Sequence, residues 1–535
     1  MKQVRRCLSH PTTISFVGAA LAMQTLILRG VTAIHLQQQQ QPTEEADDTD
    51  EQTTFNANPV VCPFNCACAF QPSPFTGSLS LSTNCSYRGL DALPANISEQ
   101  TEVIYLSGNP LPARALSALR DLFAVRELFV VRCRLHSVSD LTPPPLDGAR
   151  WSLTSLDASD NQVAYLQNRS FIQLPLLRYL RLAGNKIDSI HFDAFIGLRD
   201  LEVLDLGGNR ISAIDGRWFC HLTNLTTLNL TNNIVHVLVD GTFHCATNLV
   251  SLDVASNRIV SVYDLAFEGL EQLSRLSLVD NSLGTVPVAA LRRLSRIEEW
   301  DLSGNNFEAV QTYDFRDLEV RTLRLNRLKN LRLVQRHSFA NLTFLEDLEL
   351  AENPRLKYID REAFTGVPNL RRLSVQCNGL ETIEGDLVSN LKLLNSVDVH
   401  SNPLHCDCVL QWLYEIASAN SATYLPSATP SPSPLSSSSP CHCSSLPRLL
   451  NQGLSTCRSP SALRGLALSD RTLLSLPAIC GPRVLPIFAR EATVSVSESV
   501  RLHCRAVGIP HPNVTWLMPE AARKSTDTQV RLFLF

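Results

Sequence analysis

The chain has 535 residues, a net charge of −4 and an apolar share of 44%. It is too long for one compact core, so several domains or a repeat array is expected. The lack of a basic excess argues against electrostatic binding to nucleic acid. The sixteen cysteines, clustered and accompanied by N-x-[ST] sequons, point to an oxidising, secretory route.

At the N-terminus, Lys2, Arg5 and Arg6 precede an apolar run from Ile14 to Leu28, and Val31-Thr32-Ala33 offers small residues for cleavage. Residues 1–33 read as a cleaved signal peptide. The alternative, an uncleaved anchor, meets the difficulty that this run of fifteen residues is shorter than the ~20 a spanning helix needs. No later segment is expected to cross a bilayer. Residues 34–61, with Gln37 to Gln41 and then Glu44, Glu45, Asp47, Asp48, Asp50 and Glu51, have too few apolar side chains for a core and read as a disordered linker. Cys62, Cys66, Cys68 and Cys85 follow in a C-x3-C-x-C…C arrangement.

From about residue 100 the pattern L-x-x-L-x-L-x-x-N-x-L recurs. Its asparagine position falls at Asn109, Cys133, Asn161, Asn185, Asn209, Asn233, Asn257, Asn281, Asn305, Leu328, Asn353, Asn378 and Asn402, and the six steps from Asn161 to Asn305 are each 24 residues. This resembles the leucine-rich repeat in both pattern and period. It implies thirteen repeats over residues 98–404. Each contributes a short strand such as Leu204-Asp205-Leu206, with inward and outward side chains alternating. The asparagine carries both donor and acceptor groups, so it can satisfy backbone that the turn would bury. Phe195 and Leu198, or Phe267 and Leu270, close the convex side. One such unit cannot bury its own apolar face, so stacking is obligatory and both ends need caps. Residues 62–97 read as the N-terminal cap. Residues 405–481, opening with Asn402-Pro403-Leu404-His405-Cys406-Asp407-Cys408 and Trp412, read as the C-terminal cap. It carries a Ser/Pro-rich insertion at 427–440. A zinc site is the rival reading of the paired cysteines, but their position at the ends of a secreted array favours disulfides.

Beyond Cys480 the composition changes. Glu491 to Val496 alternates like an edge strand. Val500 to Cys504, then Gly508, Pro510, Pro512 and Trp516, resemble strands B and C of an immunoglobulin domain. Residues 482–535 are expected to be a truncated immunoglobulin-like domain. The fold class is thus an α/β-type leucine-rich-repeat solenoid with disulfide caps, followed by a partial all-β immunoglobulin-like domain.

The order of these parts is similar to that of the neuronal leucine-rich-repeat protein family. The likeness is carried by Cys62-Pro63-Phe64-Asn65-Cys66-Ala67-Cys68 with an insert holding Pro72, Pro74 and Phe75 before Cys85. It is also carried by Asn353-Pro354-Arg355-Leu356-Lys357-Tyr358-Ile359, by His400-Ser401-Asn402-Pro403, and by Cys406-Asp407-Cys408-Val409 with Trp412. The likeness spans roughly residues 62 to 520. It implies disulfides Cys62–Cys68, Cys66–Cys85, Cys406–Cys457 and Cys408–Cys480, and a role in cell adhesion or receptor signalling. Family members continue into a fibronectin-type domain and a membrane helix, so the full-length form is expected to be anchored. Cys220 and Cys245, 25 residues apart, are placed to bridge neighbouring convex turns. Cys133 reads as a buried thiol. Cys441 and Cys443 read as an extra disulfide or free thiols, and Cys377 and Cys504 have no obvious partner.

The outward positions of the strands are where a protein ligand would dock. Tyr105, Phe129 and Tyr179 form an aromatic N-terminal end, and Asp205, Asp253 and Asp301 an acidic middle with Arg181 interleaved. The rings are expected to be exposed and to act as anchors. The charges read equally well as a solvated face pairing with itself. Sequons stand at Asn84, Asn96, Asn168, Asn224, Asn229, Asn341 and Asn513, and Asn229 falls on the concave face, where a glycan would obstruct the middle. No nucleophile elbow, P-loop, zinc-protease helix or dinucleotide fingerprint occurs. The expectation is an extracellular or cell-surface protein, not an enzyme. It needs no cofactor or metal and takes a protein ligand or receptor as partner, not nucleic acid. A secreted matrix component, or the N-terminal part of a peroxidase-bearing matrix enzyme, is the alternative.

Overall fold

A short strand, three residues long in eleven repeats and five in two, recurs thirteen times along the chain, and its penultimate residue is buried in every case. The row runs Ile104, Leu128, Leu156, Leu180, Leu204, Leu228, Leu252, Leu276, Trp300, Leu323, Leu348, Leu373 and Val397. The computed structural model describes residues 62–112, 116, 119, 122–138, 151–421, 455–485, 487 and 505–513. The signal peptide, the acidic linker, the 427–440 insertion, Cys441, Cys443, Cys504 and Trp516 lie outside these. The thirteen strands form one parallel ladder in sequence order, in register from Ser82 opposite Val103 to Ser374 opposite Asp398. An antiparallel hairpin, Ala67–Pro72 with Leu79–Asn84, begins the sheet.

The asparagines hold consecutive rungs together. Asn209 Nδ2 donates to Leu206 O at 2.9 Å in its own turn and to Leu182 O at 3.0 Å in the preceding one, while its Oδ1 accepts from Ile187 N–H at 3.0 Å. Asn185, Asn233, Asn257, Asn281 and Asn305 repeat this set of three bonds. At Cys133 the buried, unoxidised thiol approaches Leu106 O at 3.3 Å in place of the amide. At Leu328 the amide of the next repeat does the work, Asn353 Oδ1 accepting from Leu328 N–H at 2.7 Å.

On the convex side one phenylalanine per turn stacks on the next. Phe171 lies 6.0 Å from Phe195, Phe219 6.0 Å from Phe243, and Phe243 6.3 Å from Phe267. The column resumes at Phe315, Phe339 and Phe364. Between its halves the short helix Val288–Leu291 supplies Leu291 instead. Disulfides join Cys62 to Cys68, Cys66 to Cys85, Cys220 to Cys245, Cys406 to Cys457 and Cys408 to Cys480. In the C-terminal cap the helix Gln411–Ser421 seals the last rung. Trp412 Nε1 donates to Ile383 O at 2.9 Å, and the buried Tyr414 hydroxyl donates to Asp407 O at 3.2 Å.

After the cap, strands Cys480–Val484 and Ala506–Ile509 pair antiparallel, so the first strand crosses the boundary expected at 481/482. Leu485, Ile487 and Val507 pack on Leu333 and Tyr358 of the array. Arg483 pairs with Glu381 at 3.0 Å and Arg505 with Asp360 at 3.6 Å. Of the immunoglobulin-like domain expected over 482–535, the described residues hold this strand pair, and the rest of that stretch lies outside them. No helix among the described residues is long and apolar enough to cross a membrane.

Two outcomes follow from this construction. Asn257→Ala leaves the Val235 N–H without its acceptor inside the core, and is expected to cost about 2–4 kcal/mol in urea unfolding followed by circular dichroism. Burial raises the Asp314 carboxyl to about 6, against the opposing bond from Gln311 N–H. Between the unfolded value and about 6 the folded chain holds the extra proton, so stability falls as pH rises through that window. Asp314→Asn is expected to melt higher than wild type at pH 7, with the difference vanishing by about pH 4.

Candidate protein-binding face

The outward residues follow from the strand alternation: with each middle leucine inward, its neighbours face the concave side. At the N-terminal end the aromatic residues are covered. Tyr105 and Phe129 stack at 4.6 Å between centroids. The turn of the cap hairpin then brings Phe75 onto both Phe129, at 5.5 Å, and Tyr179, at 5.1 Å. The Arg181 guanidinium lies 4.7 Å from the Phe75 centroid on its other side. Phe129 is consequently only 8% exposed. The expectation of three exposed rings is corrected on this point: the array's own cap fills that place, leaving Tyr105 and Tyr179 half-buried. Ser73 fixes the hairpin turn by accepting from Phe75 N–H and Thr76 N–H, and its hydroxyl donates to the Glu127 carboxylate.

The acidic middle is partly a device of the turns. Asp205, Asp253 and Asp301 each accept the backbone N–H two residues on, from Gly207 at 2.9 Å, Ala255 at 3.0 Å and Ser303 at 2.9 Å. Asn229 does the same for Thr231 at 2.9 Å. Burial pushes all three carboxyls above their ordinary range, and the backbone bonds act against it. The remaining charges pair along the face. Arg181 is 3.7 Å from Asp157, and Arg324 lies between Glu299 and Glu349. Asn326 donates to Glu349 at 2.7 Å. Of the sequon asparagines Asn229 is half-buried, and Asn84, Asn96, Asn168, Asn224, Asn341 and Asn513 are exposed.

Among the described residues, the only group of three or more His, Cys or carboxylate side chains close enough to share a metal is Cys220, His244 and Cys245. Both sulfurs are already joined to each other.

The repeats match the leucine rich repeat family over residues 175–235, 199–259, 247–307, 318–378 and 345–404. The matched stretches, residues 175–307 and 318–404, are leucine-rich repeats. The chain is similar to leucine-rich repeat and fibronectin type III domain-containing protein 1 of Rattus norvegicus, Mus musculus and Homo sapiens, at 31% identity over 209 residues, or 36% of this chain. It spans 25% of the length of these relatives. A chain in a solved octameric complex of Latrophilin 3, Unc5D and FLRT2 aligns at 22% identity with a TM-score of 0.43, covering 78% of this chain and 100% of that one.

On the leucine-rich-repeat face, the residues that sequence reasoning missed are Phe75 and Glu127. Phe75 stands directly after Pro72-Ser73-Pro74 in an insert longer than a cap needs. Nothing local says that it lies against strands fifty and a hundred residues later. Chemically the face offers paired charges and half-buried rings, a surface suited to recognising another protein. Phe75→Ala removes contacts to two rings and a guanidinium, and is expected to expose Phe129 and lower the stability of the N-terminal end by about 1–3 kcal/mol. Hydrogen exchange at Val103 to Tyr105 is the local check, with the C-terminal rungs unchanged.

Proposed function

We propose that this chain is a non-enzymatic extracellular protein of the adhesion or receptor type that holds a protein ligand on its concave face. The observation that supports it best is the thirteen-stranded face itself, on which the strand ladder positions the outward side chains, most of them in contact with solvent. The five disulfides fit an oxidising compartment, as does the signal-like segment at 1–33. The relatives with leucine-rich repeats and fibronectin domains fit a cell-surface setting. The aromatic contribution comes through Tyr105, Tyr179 and the edge of Phe75. In the cap, Phe64 and the hairpin residues Phe70 and Leu79 are also exposed, at 90%, 62% and 69%. Arg181 and Arg324 fix orientation by exchanging intramolecular carboxylates for those of the ligand.

The test is a binding screen of the secreted chain, displayed as a multimer, against a panel of extracellular proteins. With a ligand in hand, Arg181→Gln combined with Arg324→Gln is expected to weaken binding at least tenfold in a variant that circular dichroism shows still folded. Full affinity in that variant, with binding mapped to the convex side, would contradict the reading.

A further inference from the structure

The turn of the cap hairpin and the outward ends of the first parallel strands enclose a cavity of about 150 Å³, bounded among others by Ser80, Glu102, Arg126, Glu127, Arg178 and Tyr179. That is room for about five waters at the volume of liquid water. Glu127 is 3% exposed. One of its carboxylate oxygens accepts from Ser73 Oγ, while the other, Oε2, is buried without a partner. The next residue in its column, Ser155, faces it across the ladder and also buries its hydroxyl unpartnered. A buried carboxylate oxygen left empty is costly, and such a group is retained where something else completes it.

The positive charges at the rim already have carboxylate partners. Arg126 is 3.8 Å from Glu102, and Arg178 is bound by Glu202 outside the cavity. The carboxylate of Glu127 is the charge left over. Burial, and to a lesser degree the charge of Glu102, holds its carboxyl above the ordinary range, while the Ser73 hydroxyl works in the other direction.

We infer that this cavity is a subsite for the cationic end of a lysine or arginine side chain on the protein ligand, with Glu127 as its counter-ion and Tyr179 as a wall for the aliphatic stem. The inference rests on the concave face being the ligand surface and names what its N-terminal end selects. Glu127 must be ionised to hold the cation, so affinity is expected to fall as the pH is lowered into the range where its carboxyl takes up a proton.

Saturation-transfer NMR on the full chain with Nα-acetyl-lysine methylamide tests this directly. The norleucine analogue, which has the stem without the charge, and CaCl2 serve as comparators. Expected are saturable binding of the lysine probe, at least tenfold weaker binding in Glu127→Gln, no saturation with the norleucine analogue, and a melting midpoint in the variant equal to or above wild type. The wild-type pH profile reads the same claim should the variant fold poorly. Equal binding of both probes, no binding of the lysine probe, affinity indifferent to Glu127 and to pH, or saturable Ca²⁺ binding that displaces lysine would each overturn it. A protein ligand that still depends on Arg181 and Arg324 while ignoring Glu127→Gln would remove the subsite and leave the face.

Discussion

A side-chain amide that bonds the backbone of two turns at once is the constraint on which the structure depends. The strand of each repeat is only three to five residues long, too short to fix its own register, and the turn that follows buries backbone groups inside the core. Asn185 to Asn305 satisfy those groups within one turn and across to the previous one. Local geometry and stacking are thereby the same set of bonds. Leucines and phenylalanines then add apolar burial at fixed heights, and the cysteine caps close the two ends that stacking would leave open.

This arrangement separates duties by direction. Inward positions are committed to the core, turn positions to the ladder, and the concave positions are left to vary. The division is not complete. Asp205, Asp253 and Asp301 stand in the outward column yet also receive a turn N–H, so they serve the scaffold as well as the surface. Arg324, by contrast, makes its ion pairs with two glutamates of the neighbouring strands.

Periodic features were legible in the sequence because each is local. The 24-residue step, the inward leucines and the convex phenylalanines require only that neighbouring repeats behave alike. The double duty of the aspartates was also local, since each is followed two residues later by the donor it accepts, but attention to the column as a surface hid it. The covering of Phe129 by Phe75 was not legible. It joins the cap hairpin to strands far along the chain, and the hairpin's tilt over the sheet is set by tertiary packing and the Ser73 bond to Glu127. The orphaned oxygen of Glu127 follows from the same packing. At the other end, the motifs around Cys504 and Trp516 suggested a sandwich. Those residues lie outside the described ones, and the strand pair that is described packs on the array through Leu485, Ile487 and Val507.

The central claim, that the asparagine ladder carries the stacking, is tested most directly by amide hydrogen exchange at Val163, Ile187, Ile211, Val235, Ile259 and Leu283, the N–H groups that donate to ladder side chains. The account predicts that all six are protected to the same degree as the strand amides beside them, and that changing one asparagine releases the donor one turn before it. Exchange at the rate of exposed loops, or protection indifferent to loss of the asparagine, would contradict it.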